Sequence, residues 1–355
     1  MARPSFPTSL IEFQRWFLDE AACYRYLYQS RWPDGFVCPD CGHRAGWEVR
    51  RQTRSRSKKT PRPPDHLRVV WECADCHHQT SLTAGTLLDA TKLPLRTWFH
   101  AAFMVATDKR GMSAVLLDRQ LDMGGHMTAW FMLHKLRRAM VNANRTQLSG
   151  LVEMDGTYVG GYQPGLKGGR QRKGRKAAMV LAVVEIGTVK RRQKDGTVKA
   201  VEVSKRLRME VVRAENGPWI GEFLQTHVEP GSTIRSDGLS DYPPVLATLG
   251  YKHDRRVQGN PAKTGQVVPF AHRAISNMKA WLVGTHHGVG RPHLQAYLDE
   301  FVFRFNRRGS PEAAFQTLLG LGSAHAPIRR ATIRRAADLP YYYESDELGE
   351  ATPSA

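Results

Sequence analysis

The sequence has no long hydrophobic run. Nothing in its 355 residues approaches the ~20 consecutive apolar residues that a membrane span needs. The N-terminal Met1-Ala-Arg-Pro-Ser-Phe-Pro-Thr-Ser lacks the apolar core of a signal peptide. These absences point to a soluble, cytoplasmic protein with no membrane partner. Acidic residues are also short: 33 Asp plus Glu stand against 52 Lys plus Arg, a net charge of +19. Such an excess favours a polyanionic partner, with nucleic acid ahead of solubility alone or an acidic membrane surface, because no basic amphipathic anchor stands out. The length allows two or three domains with a full hydrophobic core. Cysteine is scarce too, with five in all.

Four of those five fall in pairs. Trp32-Pro-Asp-Gly-Phe-Val-Cys38-Pro-Asp-Cys41-Gly-His is matched by Trp71-Glu-Cys73-Ala-Asp-Cys76-His-His. Each Cys-x-x-Cys follows a short β-type run, the arrangement in which two tight turns aim four thiolates at one tetrahedral Zn²⁺. Disulfides or a redox pair are the competing readings, and His43, His77 and His78 are available as substitute ligands. Four thiolates leave no open position, so this zinc is expected to be structural. The stretch between the pairs is longer than in most ribbons, but much of it is polar, Arg50-Arg-Gln-Thr-Arg-Ser-Arg-Ser-Lys-Lys-Thr-Pro-Arg-Pro-Pro, and loop closure grows costlier only slowly with length. Arg50, Arg51, Arg54, Arg56, Lys58 and Lys59 then serve either a solvated linker or an arm along a phosphate backbone. Cys23 lies alone in an apolar-faced helix predicted over Ser9 to Ser30, where packing is its expected role.

From Leu93 to Met140 the pattern reads as three helices punctuated by Gly111 and Gly124-Gly125, with Ser113 as an N-cap. A short second helix, a glycine turn and a basic third helix suit helix-turn-helix DNA binding, and a plain three-helix connector would look similar.

Leu151-Val-Glu-Met-Asp-Gly-Thr-Tyr-Val-Gly-Gly161 reads as a strand presenting Asp155 at an opening. Ser232-Thr-Ile-Arg-Ser-Asp237-Gly-Leu repeats the design. Two such aspartates suggest a divalent-metal site and phosphate chemistry, or else two turn aspartates. Between them lie a glycine-rich basic loop carrying Arg170, Arg172, Lys173, Arg175 and Lys176, β-type runs from Ala178 and Ala200, and a helical Ile220 to Val228. A helix near Tyr242 to Leu249 follows. Strands first, then alternating helix and strand, predict an α/β sheet with an antiparallel part.

Further text resembles a known family. Glu20-Ala-Ala-Cys-Tyr-Arg-Tyr-Leu, Arg31-Trp-Pro-Asp-Gly-Phe-Val-Cys-Pro-Asp-Cys-Gly, Met154-Asp-Gly-Thr-Tyr-Val-Gly-Gly, His272-Arg-Ala-Ile-Ser-Asn-Met-Lys-Ala-Trp-Leu and Tyr297-Leu-Asp-Glu-Phe-Val-Phe-Arg-Phe-Asn-Arg-Arg together resemble bacterial insertion-sequence transposases that carry a zinc ribbon before a DDE-type core. The resemblance implies a ribonuclease-H-like α/β core, as in DDE transposases and retroviral integrases, with an N-terminal zinc ribbon and a helix-turn-helix-like module. The expected divisions are an N-terminal helix (1–30), the ribbon with its basic insertion (31–90), a helical DNA-binding module (91–145), the catalytic domain (146–310) and a C-terminal extension with an acidic tail (311–355).

The resemblance also implies chemistry. Asp155 and Asp237 would be the first two carboxylates of a Mg²⁺ or Mn²⁺ site. The usual third, a glutamate on the following helix, is missing, because that helix offers Asn277 and no acid; some relatives resemble this chain there. Asn277 is therefore the expected third ligand, through its amide oxygen. Glu300 is the runner-up, although its helix has apolar residues to pack and Arg304 one turn on as an ion-pair partner. His272, Lys279, His286 and His287 flank the segment, suited to DNA phosphate, the reacting oxygen or a solvated face. The implied activity is cleavage at the terminal inverted repeats and transfer to target DNA, by at least a dimer. A zinc-ribbon regulator that no longer turns over is the alternative.

Overall fold

The computed structural model describes residues 5–52, 67–141, 145–160, 177–193, 196–257 and 267–335. They form two compact units, one of residues 1–140 with 310–329 and one of residues 141–309 with 330–355. Among the described residues no helix is long and apolar enough to cross a membrane.

The first unit opens with two helices, α1 (Leu10–Trp16) and α2 (Glu20–Arg31), where one was expected. Capping explains the break. The Ser9 hydroxyl accepts from the Glu12 N–H, and the Asp19 carboxylate accepts from the Ala22 N–H at 2.7 Å, so Asp19 starts a new helix instead of continuing the old one. Cys23 is buried in α2, and that burial pushes its thiol up to about 12, as a packing cysteine requires. Strands β1 (Gly46–Gln52), β2 (Leu67–Cys73) and β3 (Gln79–Thr80) make an antiparallel sheet in that order. Helices α3 (Leu95–Thr107), α4 (Ala114–Leu121) and α5 (His126–Ala139) follow as read. The Ser113 hydroxyl caps α4 by accepting from the Leu116 N–H at 3.2 Å.

One feature of the helix-turn-helix expectation changes. A recognition helix must expose its basic face, yet α5 is buried along most of its length, with Phe131, Leu133, His134, Leu136 and Arg137 all inside. Lys135 donates to the Leu87 carbonyl at 3.1 Å. The exposed side chains of this pair of helices are instead Val115, Leu116, Arg119 and Gln120 of α4 and His126 and Met127 at the start of α5.

The second unit is built on β4 (Leu151–Val159), β5 (Ala178–Arg192) and β6 (Val198–Val212) as an antiparallel meander, then α6 (Gly217–His227), β7 (Thr233–Ser236), α7 (Tyr242–Thr248) and β8 (Lys252–Arg255). β7 joins β4 in parallel and β8 joins β7 in parallel, giving one mixed sheet of order β6-β5-β4-β7-β8. Parallel neighbours need crossover helices, which α6 and α7 supply. Helices α8 (Pro269–His286) and α9 (Leu294–Asn306) complete the unit. β5 shows why its first half reads as a continuous apolar run. Ala178, Val180, Ala182, Val184 and Ile186 pack under α8 and α9, while Met179, Leu181 and Val183 pack under α6 and α7. A strand covered on both faces has no polar alternation to show.

The outer edge of β6 is closed by side chains of α9 and the residues just after it. Gln295 accepts from the Val211 N–H at 2.8 Å, and Asn306 accepts from the Leu207 N–H at 2.7 Å and donates to the Leu207 carbonyl at 3.1 Å. Arg308 donates to the Lys205 carbonyl at 3.1 Å and also to that of Ser204.

The expected C-terminal extension is in part a core helix. α10 (Pro311–Ala324) belongs to the first unit, where the fully buried ring of Phe315 meets Phe13, Phe17, Phe99 and Phe103 at centroid distances of 5.6–5.9 Å. Sequence order hides this, because residues 141–309 of the second unit are spliced between α5 and α10. The acidic tail from Tyr341 lies outside the described residues.

Candidate active site and cysteine cluster

The two Cys-x-x-Cys turns converge. The sulfurs of Cys38, Cys41, Cys73 and Cys76 all lie within 4.8 Å of one another, with Cys38 to Cys76 and Cys41 to Cys73 each 3.6 Å apart. The two turns share one backbone scaffold: the Cys38 N–H donates to the His43 carbonyl at 2.9 Å, and the Cys73 N–H to the His78 carbonyl at 3.0 Å. Burial works against ionising Cys38, but the amides of Cys41 and Asp40 aimed at its sulfur bring its thiol down to about 6. Four sulfurs at this spacing fit one tetrahedral Zn²⁺ without a histidine. His77 instead lies on the surface, 3.6 Å from Glu72.

In the second unit, sheet register sets the aspartates on neighbouring segments. β4 pairs with β7 as Leu151 to Thr233, Val152 to Ile234 and Glu153 to Arg235. Two residues on from this last pair stand Asp155, still within β4, and Asp237, one residue past the end of β7. Side chains alternate along a strand, so Asp155 points to the same face as Glu153, the face covered by α8. Asp155 is not in a turn: β4 runs on past it to Val159, paired with β5 throughout. The opening beside it arises because β7 ends at Ser236. Asp237 does sit in a turn, its carboxylate accepting from the Leu239 N–H at 3.1 Å.

Glu153, two residues before Asp155 on the same face, anchors the covering helix. Its carboxylate is fully buried and accepts from the N–H groups of Phe270 at 2.7 Å and Ala271 at 3.1 Å, both in the first turn of α8. Negative charge is favourable at that helix end. Arg235 neutralises it from β7 at 3.1 Å, and Arg235 is in turn held by Glu202 and Asp254, both at 2.9 Å. The next residue of α8, His272, reaches Asp155, with Nε2 to Oδ2 at 3.2 Å. Its hydrogen bond to Asp155, reinforced by the charges of Asp155, Glu153 and Asp237, pushes the His272 imidazole up against the opposing effect of burial.

The chain matches the ISXO2-like transposase domain over residues 147–306 and the transposase zinc-ribbon domain over residues 18–79. It is 26% identical over 308 residues to a protein of transposable element ISH50 from Halobacterium salinarum, covering 85% of this chain and 97% of that one. It belongs to the zinc-ribbon DDE family of insertion-sequence transposases. Among solved structures it is similar to a chain of the simian T-cell lymphotropic virus intasome in complex with PP2A regulatory subunit B56 gamma. That likeness has a TM-score of 0.24 at 12% identity and covers 56% of this chain and 66% of that one. A second likeness is to a chain of a pre-cleavage Mos1 transpososome, with a TM-score of 0.24 at 12% identity, covering 60% and 75%.

The remaining expected residues of the transposase fall in different places. Asn277 is exposed on α8. At ~100° per residue it stands about 140° round the helix from His272, on the stripe of Arg273. Ser276 and Lys279 share the His272 stripe, and the Asp155 charge acts on Lys279, opposing the burial that pushes its ammonium down. Glu300 is fully buried on α9, 3.7 Å from Arg304, against the β6 edge and two strands away from β4. Asp155 and Asp237 thus lie on neighbouring segments of the sheet, whereas Asn277 stands on a different stripe of α8 from His272 and Glu300 lies on α9. Arg50 is exposed at the end of β1, 2.5 Å from Glu48, and Arg51 continues that strand. Arg54, Arg56, Lys58, Lys59, Arg170, Arg172, Lys173, Arg175 and Lys176 lie outside the described residues.

Two carboxylates escaped the sequence reading. Glu153 looks like an ordinary strand residue until α8 is placed over it. Glu215, in the turn between β6 and α6, accepts from the buried Tyr242 hydroxyl at 3.3 Å. The one signal for Glu215 was Gly156, a glycine inside a strand, which marks a close approach more often than a turn.

Proposed function

We propose that this transposase cuts DNA at the inverted-repeat ends of its element and joins the freed 3′ ends to target DNA, with Asp155 and Asp237 holding the divalent cations of the reaction. The observation that carries this reading is the β4–β7 register, which pairs Glu153 with Arg235 and so supports Asp155, within β4, and Asp237, just past β7, acting side by side. Its strand order, an antiparallel meander followed by two parallel strands, supports a ribonuclease-H-like core. The donors fit the cation: carboxylate oxygens are the hard ligands Mg²⁺ takes, one or two from protein, with phosphate oxygens and water completing the set. Bound there, Mg²⁺ or Mn²⁺ supplies Lewis acidity to the attacking and leaving oxygens of an in-line displacement.

The protein's own part is positioning. Glu153 fixes α8 over the aspartates, and His272, kept protonation-ready by Asp155, offers a donor beside them to a DNA phosphate oxygen. Water, then the freed 3′-hydroxyl, is the nucleophile, so no serine or tyrosine intermediate is required. Asn277, on the exposed stripe beside Arg273, meets DNA in this arrangement. The exposed face of α4, the first turn of α5 and the basic stretches around Arg54 and Arg172 supply phosphate contacts, whose number sets the salt dependence of binding. The ribbon's Zn²⁺ is structural, and joining two ends calls for at least a dimer, working in the cytoplasm at the nucleoid.

Strand transfer with end-sequence DNA and Mg²⁺ tests the reading. Asp155→Ala and Asp237→Ala are expected to abolish product, and Glu300→Ala to retain it if folded. Asn277→Ala separates a DNA contact, which weakens end binding, from a cation ligand, which abolishes chemistry with binding intact. Wild type that binds its ends and neither cleaves nor joins them would instead mark a regulator derived from a transposase.

A further inference from the structure

We infer that the far end of the β5–β6 hairpin is a DNA-binding arm, a two-stranded ribbon that enters the groove of a duplex. Lys190 and Arg192 on one face, and Arg191 and Lys199 on the other, meet the phosphates of its two walls. The inference is independent of the aspartate site and rests only on DNA being what this transposase binds.

The first observation is that the ribbon leaves the sheet. β4 begins at Leu151, opposite Ile186 of β5. Beyond that level β5 is paired with β6 alone, from Ile186 against Ser204 to Arg192 against Val198. Burial stops at the same place: β5 is buried through Gly187 and exposed from Thr188 to Arg192, as β6 is from Val198 to Ala200. A two-stranded ribbon has little stability of its own, and this one is tied back to the sheet. Arg235 of β7 donates to both carboxylate oxygens of Glu202, the β6 residue opposite Thr188, at 2.9 and 3.0 Å.

The second observation is the charge and its placement. Among the described residues from 186 to 201, which omit 194 and 195, there are four cations and no carboxylate. Residues directly opposite across an antiparallel pair share a face. Arg191 stands opposite Lys199, a like-charge pairing that costs stability unless an anion lies against it. The stem of Lys205 joins that face, lying where a side chain at Gly187 would stand. Lys190 and Arg192, opposite Ala200 and Val198, take the other face. A B-DNA major groove, ~12 Å wide, admits a two-stranded β-ribbon. A ribbon positive on both faces suits a groove with phosphates on both sides, whereas one lying flat on a single strand needs cations on one face only. Contacts to phosphate position a duplex without reading its sequence.

Charge on an exposed ribbon also guards its edges against pairing with other strands, and the two roles separate on DNA affinity. The experiment is equilibrium binding of the full-length protein to a fluorescein-labelled end duplex and to an unrelated duplex of the same length. Anisotropy is read over a range of salt concentrations without added divalent cation, with thermal melting to establish that each variant is folded. One variant combines Lys190→Gln with Arg192→Gln, the other Arg191→Gln with Lys199→Gln. Each is expected to lower the slope of log affinity against log salt by about 1.8, at ~0.9 per phosphate contact, and to weaken both duplexes roughly thirtyfold at ~0.15 M salt. A loss confined to one variant would overturn the groove placement, and a loss confined to the end duplex would overturn contact through phosphate alone. Two folded variants that bind like wild type would overturn the inference, making the charges edge guards and leaving the transposase reading standing. Wild type that binds neither duplex would overturn that reading as well.

Discussion

The cysteine cluster and the aspartate pair gather their side chains by opposite routes. In the ribbon, each pair of sulfurs comes from one tight turn, and the two turns are near copies. Each first cysteine donates its N–H to the carbonyl five residues on, and the residue four places on, Gly42 or His77, is left-handed at φ 75° or 57°. In the second unit, Asp155 comes from mid-strand and Asp237 from the loop after β7. No local motif joins them. A site made of short-range copies withstands an insertion such as residues 53–66, whereas a site made by register depends on every element that sets the register.

The largest effect expected from this contrast is in the ribbon. Removing zinc with a chelator, or making Cys73→Ser, should unfold it, since structural zinc in small modules contributes on the order of 10 kcal/mol. Trp71 reports this directly, because its ring stacks on Phe36 at 5.5 Å. A red shift of tryptophan emission is expected, and an unshifted spectrum in metal-free protein would mean that the turns hold without their ion.

A smaller loss is expected at Glu153→Gln. The change halves the acceptor strength at the start of α8 and leaves Arg235 with two carboxylates in place of three, at a cost of about 3 kcal/mol for breaking a buried charge pair. Urea unfolding measures it. A loss below ~1 kcal/mol, within the range of an exposed pair, would show that α8 is held by its apolar face alone.

The smallest effect tests the likeness of the two turns. His77 holds a conformation that favours glycine, so His77→Gly should stabilise the ribbon by up to about 1 kcal/mol. Thermal melting of the zinc-loaded protein decides it. A destabilised variant would mean that the 3.6 Å approach of His77 to Glu72 outweighs backbone strain.

What could be read in advance follows the same division. The cysteine quartet, Ser113 as a cap and the buried run of β5 were legible because each is signalled within about ten residues of itself. Asp155 and Asp237 were legible as a pair because each is an aspartate backed by glycine after a short β-type run, although only the register makes their strands neighbours. Glu153, Glu215 and the place of α10 were not legible. Each depends on a partner far along the chain: the α8 amides 117 and 118 residues on, Tyr242 27 residues on, and aromatic rings that precede the whole second unit. The single helix expected over residues 9–30 failed for a different reason, since the apolar spacing continues through Asp19 while the backbone does not.

The closed edge of β6 bears on how copies of this transposase meet. A strand from a second molecule needs outward-facing amides and carbonyls, and along Lys205, Leu207, Met209 and Val211 those groups are already engaged by Arg308, Asn306 and Gln295. Over Ser204 to Val211 the edge is therefore closed to an added strand. Any strand pairing between copies is left to the first part of β6 and to β8 at the other edge of the sheet.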